Sequence, residues 1–278
     1  MIRKASPAKV NLYLEVLGKR ADGYHDILTL MQRIDLCDEM TFVGKEGPLA
    51  VRCPGTSLPE DRGNIIYRAA EAFFSRLSSK ASIEITVRKR IPVAAGLGGG
   101  SSNAATTLMA LNEMHGNPLT PDELMGMGAR LGADVPFFIH GKTAWASGIG
   151  DRFMETPPLP PLWFVLVNPG FEISTKMVYQ SLNLGLTNGP RNYSIPRFYT
   201  EDDLIQGLHN DLEKVTLRLH PVLDQLKALL LENGAGGALM SGSGPTVFGI
   251  FSGEESAVRA ETALKRENRW SVFRARSL

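Results

Sequence analysis

The chain has 278 residues, 43% of them hydrophobic, enough for one large domain or two ordinary ones with a sizeable core. Against 29 acidic residues stand 30 basic ones, a formal net charge of +1, which excludes the broad positive field of a general nucleic-acid binder and leaves any small anionic ligand to local charge. Two cysteines, Cys37 and Cys53, cannot build a disulfide framework or a metal site; no apolar run reaches membrane-spanning length, and Pro7 and Lys9 interrupt the segment where a signal peptide needs an apolar core, so the expected location is cytoplasmic.

In chain order, the first element is a strand over Lys9 to Leu17. Val10, Leu12, Leu14 and Val16 alternate with Lys9, Asn11, Tyr13 and Glu15, so Lys9 and Asn11 project from one face two residues apart. A lysine on such a face is ordinarily just solvated. Gly18 to Gly23 reads as a turn that delivers Tyr24 and His25 to a loop or to the next strand's start; the pair can stack on a flat ring and hydrogen-bond its edge. Asp38 to Gly63 reads as edge strands and turns. A helix begins near Asn64, with Ile65, Ile66, Ala69, Ala70, Phe73, Phe74 and Leu77 on its apolar face. Ile83, Ile85 and Val87 then mark a strand leading to Arg88, Lys89 and Arg90, either a nucleotide-favouring charge group or an exposed strand end.

The stretch around which the chain is organised follows: Ile91, Pro92, Val93, Ala94, Ala95, Gly96, Leu97, Gly98, Gly99, Gly100, Ser101, Ser102 and Asn103, opening into a helix with Ala104, Ala105, Leu108, Leu111 and Met114 on one face. Glycines let successive backbone N–H groups approach a polyanion, and the helix adds its unpaired amides and positive dipole end, the makings of a phosphate cradle. Ser101, Ser102 and Asn103 suit an N-cap, and the serine hydroxyls could also meet phosphate or hydrated magnesium. It is neither a Walker loop, lacking Gly-Lys-Ser/Thr, nor a dinucleotide fingerprint, since Ser101 stands where a third glycine is needed.

Thr120, Pro121 and Glu123 form a capping box for a helix to about Leu131. Asp134, between a helix stop and Pro136-Phe137-Phe138, is either a helix cap or a partly buried functional carboxylate. Pro157 to Pro161 is a linker candidate. The remainder reads as a strand over Trp163 to Val167, a short helix capped by Ser174 and carrying Tyr179, helices near 202–208 and 221–232, a strand at Leu239 and Met240, a loop from Ser241 to Pro245, a strand over Val247 to Phe251, a helix near 255–266 and a last strand over Trp270 to Arg274.

Three blocks in order, Ser6 to Leu12, Pro92 to Ala105 and Gly242 to Phe248, resemble the GHMP small-molecule kinase superfamily. Arg20 to His25 and Gly132 to Phe137 are most similar to its members that phosphorylate a cytidine diphosphate-linked methylerythritol on the non-mevalonate isoprenoid route; the likeness spans nearly the whole chain and thins between about Leu184 and Asp203. A cytidine-reading segment has no purpose in relatives acting on mevalonate, homoserine or a sugar. The resemblance implies an α+β, two-domain GHMP kinase fold, with an N-terminal ribosomal-S5-like, ATP-binding domain over 1–156, a C-terminal ferredoxin-like domain over 157–278 contributing to the substrate site, and the active site between them.

It further implies ATP and Mg2+ as cofactors and a small-molecule partner, without nucleic acid or membrane, for a monomer or weak homodimer. Asp134 matches a catalytic aspartate that takes or orients the hydroxyl proton, and Lys9 a catalytic lysine that stabilises charge on the attacking oxygen. Asn11, Tyr24, His25 and Tyr179 match substrate-binding positions, His25 at the cytosine edge and Tyr179 stacking on the ring. Pro92 to Asn103 matches the ATP phosphate cradle, Asn64 and Lys89 lie at positions near the nucleotide's base or sugar, and Gly242 to Thr246 matches a loop packed against the cradle. Relatives hold the metal with a loop serine and an acidic residue on the next helix; the first acidic residue here, Glu113, comes late, so the metal ligands stay unassigned.

Overall fold

The computed structural model describes residues 1–182 and 193–278; of the stretch where the resemblance thins, residues 184–192 lie outside the described residues. The chain forms two compact units, neither a continuous piece of sequence. One comprises Met1–Ala8, Cys37–Val93 and Gly98–Lys142, the other Lys9–Leu36, Ala94–Leu97 and Thr143–Leu278. Two long strands, β1 (Ile2–Lys19) and β2 (His25–Gly44), contribute residues to both.

In the first unit, residues 39–44 of β2 pair antiparallel with β4 (Ile83–Arg88), and β3 (Ala50–Arg52) pairs parallel with β4. Met40, Phe42, Ile83, Ile85 and Val87, all buried, give these strands their inner face. Helix α1 (Ile65–Arg76) buries Ile66, Ala69, Ala70, Phe73 and Phe74 and packs on α2 (Gly99–Met114), which also meets α3 (Pro121–Leu131) and α4 (Val135–His140). The capping box of α3 is present as expected: Thr120 Oγ1 accepts from the Glu123 N–H, and the Glu123 carboxylate accepts from the Thr120 N–H at 3.0 Å.

In the second unit, β5 (Ala144–Ser147) pairs antiparallel with residues 29–31 of β2 and with β6 (Arg152–Met154), and β8 (His209–Asn210) pairs parallel with Tyr13 and Leu14 of β1. A separate antiparallel sheet runs β11 (Ser271–Arg276), β7 (Trp163–Asn168), β10 (Val247–Phe251), β9 (Gly237–Met240). Helices α8 (Val222–Glu232) and α9 (Glu254–Arg266) pack on it. Taken in chain order as β7, α8, β9, β10, α9, β11, with spatial order fourth, first, third, second, this is the βαββαβ pattern of a ferredoxin-like fold. Short helices α5 (Thr175–Gln180), α6 (Glu201–Gln206) and α7 (Glu213–Leu219) complete the unit. Ser174 caps α5 as its sequence predicts; α4, α7, β5, β6 and β8 are additions to the predicted elements.

Candidate active site

The glycine stretch forms a loop whose alternate residues Ala94, Gly96 and Gly98 take positive φ values of 51°, 77° and 68°. Such alternation turns successive N–H groups toward one side, the backbone requirement of an anion nest. Helix α2 starts earlier than the N-cap expectation for Ser101, Ser102 and Asn103: Gly98 is the N-cap and supplies no side-chain hydrogen bond. The leading amides of α2 therefore keep their donors for a ligand, with Gly100 exposed among them. Ser101 is half-buried, whereas Ser102 and Asn103 turn inward. Ser102 Oγ accepts from Ser6 Oγ at 2.8 Å, and Asn103 Nδ2 donates to Ser6 Oγ and to Asp38 Oδ2, both at 2.9 Å.

Lys89 is the inner member of the basic triplet. Its ammonium pairs with Asp38 and donates to Asn103 Oδ1 at 3.1 Å, while Arg88 and Arg90 on either side are exposed. Asn64, likewise expected near the nucleotide, is the N-cap of α1: Oδ1 accepts from the Ile66 N–H at 2.9 Å and Nδ2 donates to the Pro59 carbonyl at 2.7 Å. Its side chain is thus engaged in fastening the loop before α1, beside the buried Cys53.

Lys9 and Asn11 lie on one face of β1, as the alternation requires, and both are buried, at 4% and 3% exposure. A solvated lysine is therefore ruled out. Lys9 Nζ donates to Asn11 Oδ1 at 2.6 Å, Asn11 Nδ2 donates to Thr29 Oγ1 at 2.9 Å, and Thr29 Oγ1 donates to the Tyr13 carbonyl at 2.7 Å. The relay fixes the Asn11 amide orientation. The Lys9 N–H also donates to the Leu97 carbonyl at 3.0 Å, tying the strand to the glycine loop.

The third block closes on the same spot. Ser241 Oγ donates to the Gly96 carbonyl at 3.0 Å and the Thr246 N–H to the Ala95 carbonyl at 3.3 Å. At Gly242 (φ 56°) a Cβ would stand 3.3 Å from Asn11 Oδ1 and 3.5 Å from Lys9 Nζ, so the loop backbone reaches the lysine directly. Asn210, missed by sequence reasoning, holds this loop: its Nδ2 donates to the Met240 and Gly242 carbonyls, both at 2.8 Å. Only its burial at 5% exposure in a two-residue strand marks it out.

Asp134 precedes α4 as its N-cap residue, with φ −81° and ψ −11°, but its side chain makes no capping hydrogen bond. That removes the capping explanation for a half-buried carboxylate. Gly132, two residues earlier, brings the backbone against α2: a Cβ there would lie 3.7 Å from Ser101 Oγ.

At the start of β2, His25 is buried and its ring lies against Tyr179 of α5, centroids 5.0 Å apart at 31°. Burial, with Lys19 nearby, holds the imidazole below the usual histidine range, so the neutral ring is favoured. Tyr24 is 59% exposed. Arg20, which the sequence reading placed in the Arg20 to His25 segment without a role of its own, braces the turn: its guanidinium bonds Asp22 at 2.8 Å and Asp26 at 3.1 Å, and Asp22 Oδ1 accepts from the Tyr24 N–H at 3.0 Å. The structure thus gathers Lys9, Asn11, Ala94 to Leu97, Tyr24, His25 and Tyr179 in one unit, and Asn64, Lys89, Pro92, Val93, Gly98 to Asn103 and Asp134 in the other.

For magnesium, no group of three or more His, Cys, Asp or Glu side chains able to hold a metal occurs among the described residues. Glu113 sits in the last turn of α2, about 20 Å along the helix from its start at 1.5 Å per residue, and pairs with Lys4 at 2.5 Å. It does not fit a metal ligand at the phosphate loop. No helix of the described residues is long and apolar enough to cross a membrane.

Two family models match the chain: GHMP kinases N terminal domain over residues 64–142 and GHMP kinases C terminal over residues 201–269. A 4-diphosphocytidyl-2-C-methyl-D-erythritol kinase of Syntrophus aciditrophicus is 55% identical over 278 residues, covering 100% of both chains. One of Syntrophotalea carbinolica is 51% identical over 96% of each. A crystal structure of 4-(cytidine 5'-diphospho)-2C-methyl-D-erythritol kinase superposes with a TM-score of 0.82 at 33% identity, covering 99% of each chain. A Methanococcus jannaschii mevalonate kinase, 15% identical with a TM-score of 0.74, shares the fold, covering 100% of this chain and 98% of its own. From the full-length likeness and the two domain matches, the chain belongs to the GHMP kinases and, among them, to the 4-diphosphocytidyl-2-C-methyl-D-erythritol kinase family.

Proposed function

We propose that the protein transfers the γ-phosphoryl group of ATP to the 2-hydroxyl of 4-diphosphocytidyl-2-C-methyl-D-erythritol, giving the 2-phosphate and ADP, in the cytoplasm and as a monomer or weak homodimer. The observation that carries the chemistry is Lys9: a buried ammonium, oriented by Asn11 and tied through its own N–H to the glycine loop. The full-length kinship with kinases of that name carries the substrate.

In this reading the amides of the Ala94 to Gly100 loop and of the first turn of α2 hold the triphosphate, with Pro92, Val93, Ser101, Ser102 and Asn103 completing the cradle. Lys89 and Asn64 shape its nucleotide side, residues 1–156 carry ATP binding, and residues 157–278 add to the substrate site. Asp134 accepts or orients the proton of the acceptor hydroxyl while Lys9 stabilises the negative charge that grows on the attacking oxygen; one provides basicity, the other electrostatic stabilisation. Neutral His25 hydrogen-bonds the cytosine edge, Tyr179 offers it a ring face, Tyr24 borders the pocket, and Asn11 positions the erythritol. Magnesium would supply neutralisation of the triphosphate's charge, and the residues that would hold it stay unassigned.

The test is ADP release with ATP and magnesium, comparing the cytidylyl compound with its uncytidylylated 4-phosphate precursor, mevalonate and homoserine. Turnover confined to the cytidylyl compound supports the proposal. Turnover with another alcohol would keep the kinase chemistry and discard the Tyr24 and His25 pocket, and nucleotide binding without turnover of any of them would indicate a sensor.

A further inference from the structure

One carboxylate stands where the strand pattern demands a hydrocarbon. Along β2, Ile34, Leu36, Met40 and Phe42 form the buried face, and Asp38 occupies the intervening position with 0% exposure. A charge so placed is unfavourable unless its oxygens are fully engaged. They are. Oδ1 accepts from the Arg90 N–H at 2.7 Å and the Ile91 N–H at 2.9 Å; Oδ2 accepts from Asn103 Nδ2 at 2.9 Å and from the Lys89 ammonium.

These four donors come from the two ends of the glycine loop. Residues 89–91 are its lead-in, and Asn103 lies in α2, into which it opens. The ends also touch: a Cβ on Gly99 would come within 2.9 Å of Ile91 Cγ2 and 3.2 Å of Lys89 Nζ. Ser6 extends the brace, receiving Asn103 Nδ2 and donating to Ser102.

We propose that Asp38 is a positioning residue for nucleotide binding: by clamping residues 89–91 to Asn103 it fixes the span of the Pro92 to Gly98 loop, and so the directions of the amides that meet the triphosphate. Asp38 itself does not touch the nucleotide. The inference rests on the reading of this loop as the ATP phosphate cradle. Its consequence is selective: loosening the clamp weakens ATP, because loop amides held in place lose affinity when they wander, while the determinants proposed for the cytidylyl compound, Asn11, His25 and Tyr179, take no part in the clamp's hydrogen bonds.

The experiment compares wild type with Asp38→Asn, which keeps shape and one acceptor oxygen, and with Phe42→Leu, a core substitution on the same strand face that serves as a control for lost stability. Dissociation constants of a non-hydrolysable ATP analogue are measured by calorimetry well below each variant's melting temperature, and KM values are measured for ATP and for the cytidylyl compound. Asp38→Asn is expected to weaken the analogue and raise the KM for ATP roughly tenfold or more, leaving the other KM near wild type. Phe42→Leu moves neither constant. Ser6→Ala, which removes only the outer strut, gives a smaller change in the same direction and decides the matter if Asp38→Asn does not fold. Unchanged affinity for the analogue in the folded variant, or an equal loss in Phe42→Leu, overturns the positioning role; failure of wild type to bind the analogue overturns the cradle reading beneath it.

Discussion

Replacing Gly96 by alanine tests the junction between the glycine loop and the third block. At φ 77° any side chain carries about 1 kcal/mol of left-handed strain. The added Cβ would also sit 2.1 Å from the Ser241 carbonyl oxygen and 3.1 Å from that of Gly244, both backbone atoms that cannot swing aside. The loops must part, giving up the Ser241 to Gly96 and Thr246 to Ala95 hydrogen bonds, each contributing about 1 kcal/mol. The sum is about 3 kcal/mol, a melting temperature lower by roughly 5 °C for a chain of this size. Gly100→Ala is the internal control: its Cβ meets only Ile65 at 3.8 Å, and alanine favours the helix it enters, so stability should hold or rise. Urea and thermal unfolding of both variants provide the readout. A Gly96→Ala protein as stable as Gly100→Ala would refute the argument that the two loops are in fixed contact.

Asp134→Ala should lower kcat by roughly 100-fold or more while ATP-analogue affinity stays near wild type; equal loss of both would make Asp134 structural. His25→Ala should raise the KM for the cytidylyl compound far more than that for ATP, and an unchanged substrate KM would remove His25 from the pocket. His25 also sets a pH dependence. Its folded-state affinity for a proton lies below that of the unfolded chain, so its contribution to stability is complete above the ordinary histidine range and is lost as pH falls through the folded value. Urea midpoints at acid and neutral pH should therefore diverge less in His25→Gln than in wild type. Asn210→Ala strands the buried Met240 and Gly242 carbonyls and the Leu212 N–H, for an expected loss of about 2–3 kcal/mol by urea unfolding; a loss within error would mean that the loop over Lys9 does not depend on Asn210.

Local chemistry in the sequence determined a good deal of this. Alternation through Lys9 and Asn11, the capping box at Thr120 and Glu123, the Ser174 cap and the glycine-dense entry to α2 are signals carried by neighbours a few residues apart, and each element formed as its pattern required. Tertiary structure decided what those elements touch. It made Gly98 rather than a serine the cap of α2, turned Lys89 inward onto Asp38, and brought Gly242 from the far end of the chain to Lys9 and Asn11. Asp38 and Asn210 left almost no local trace, because a buried polar residue is explained by its partners, and theirs, apart from the Leu212 N–H beside Asn210, lie about 30 to 65 residues away in sequence. Periodicity reports which face of an element is buried; only the closing of the fold says which donors and carbonyls share that interior.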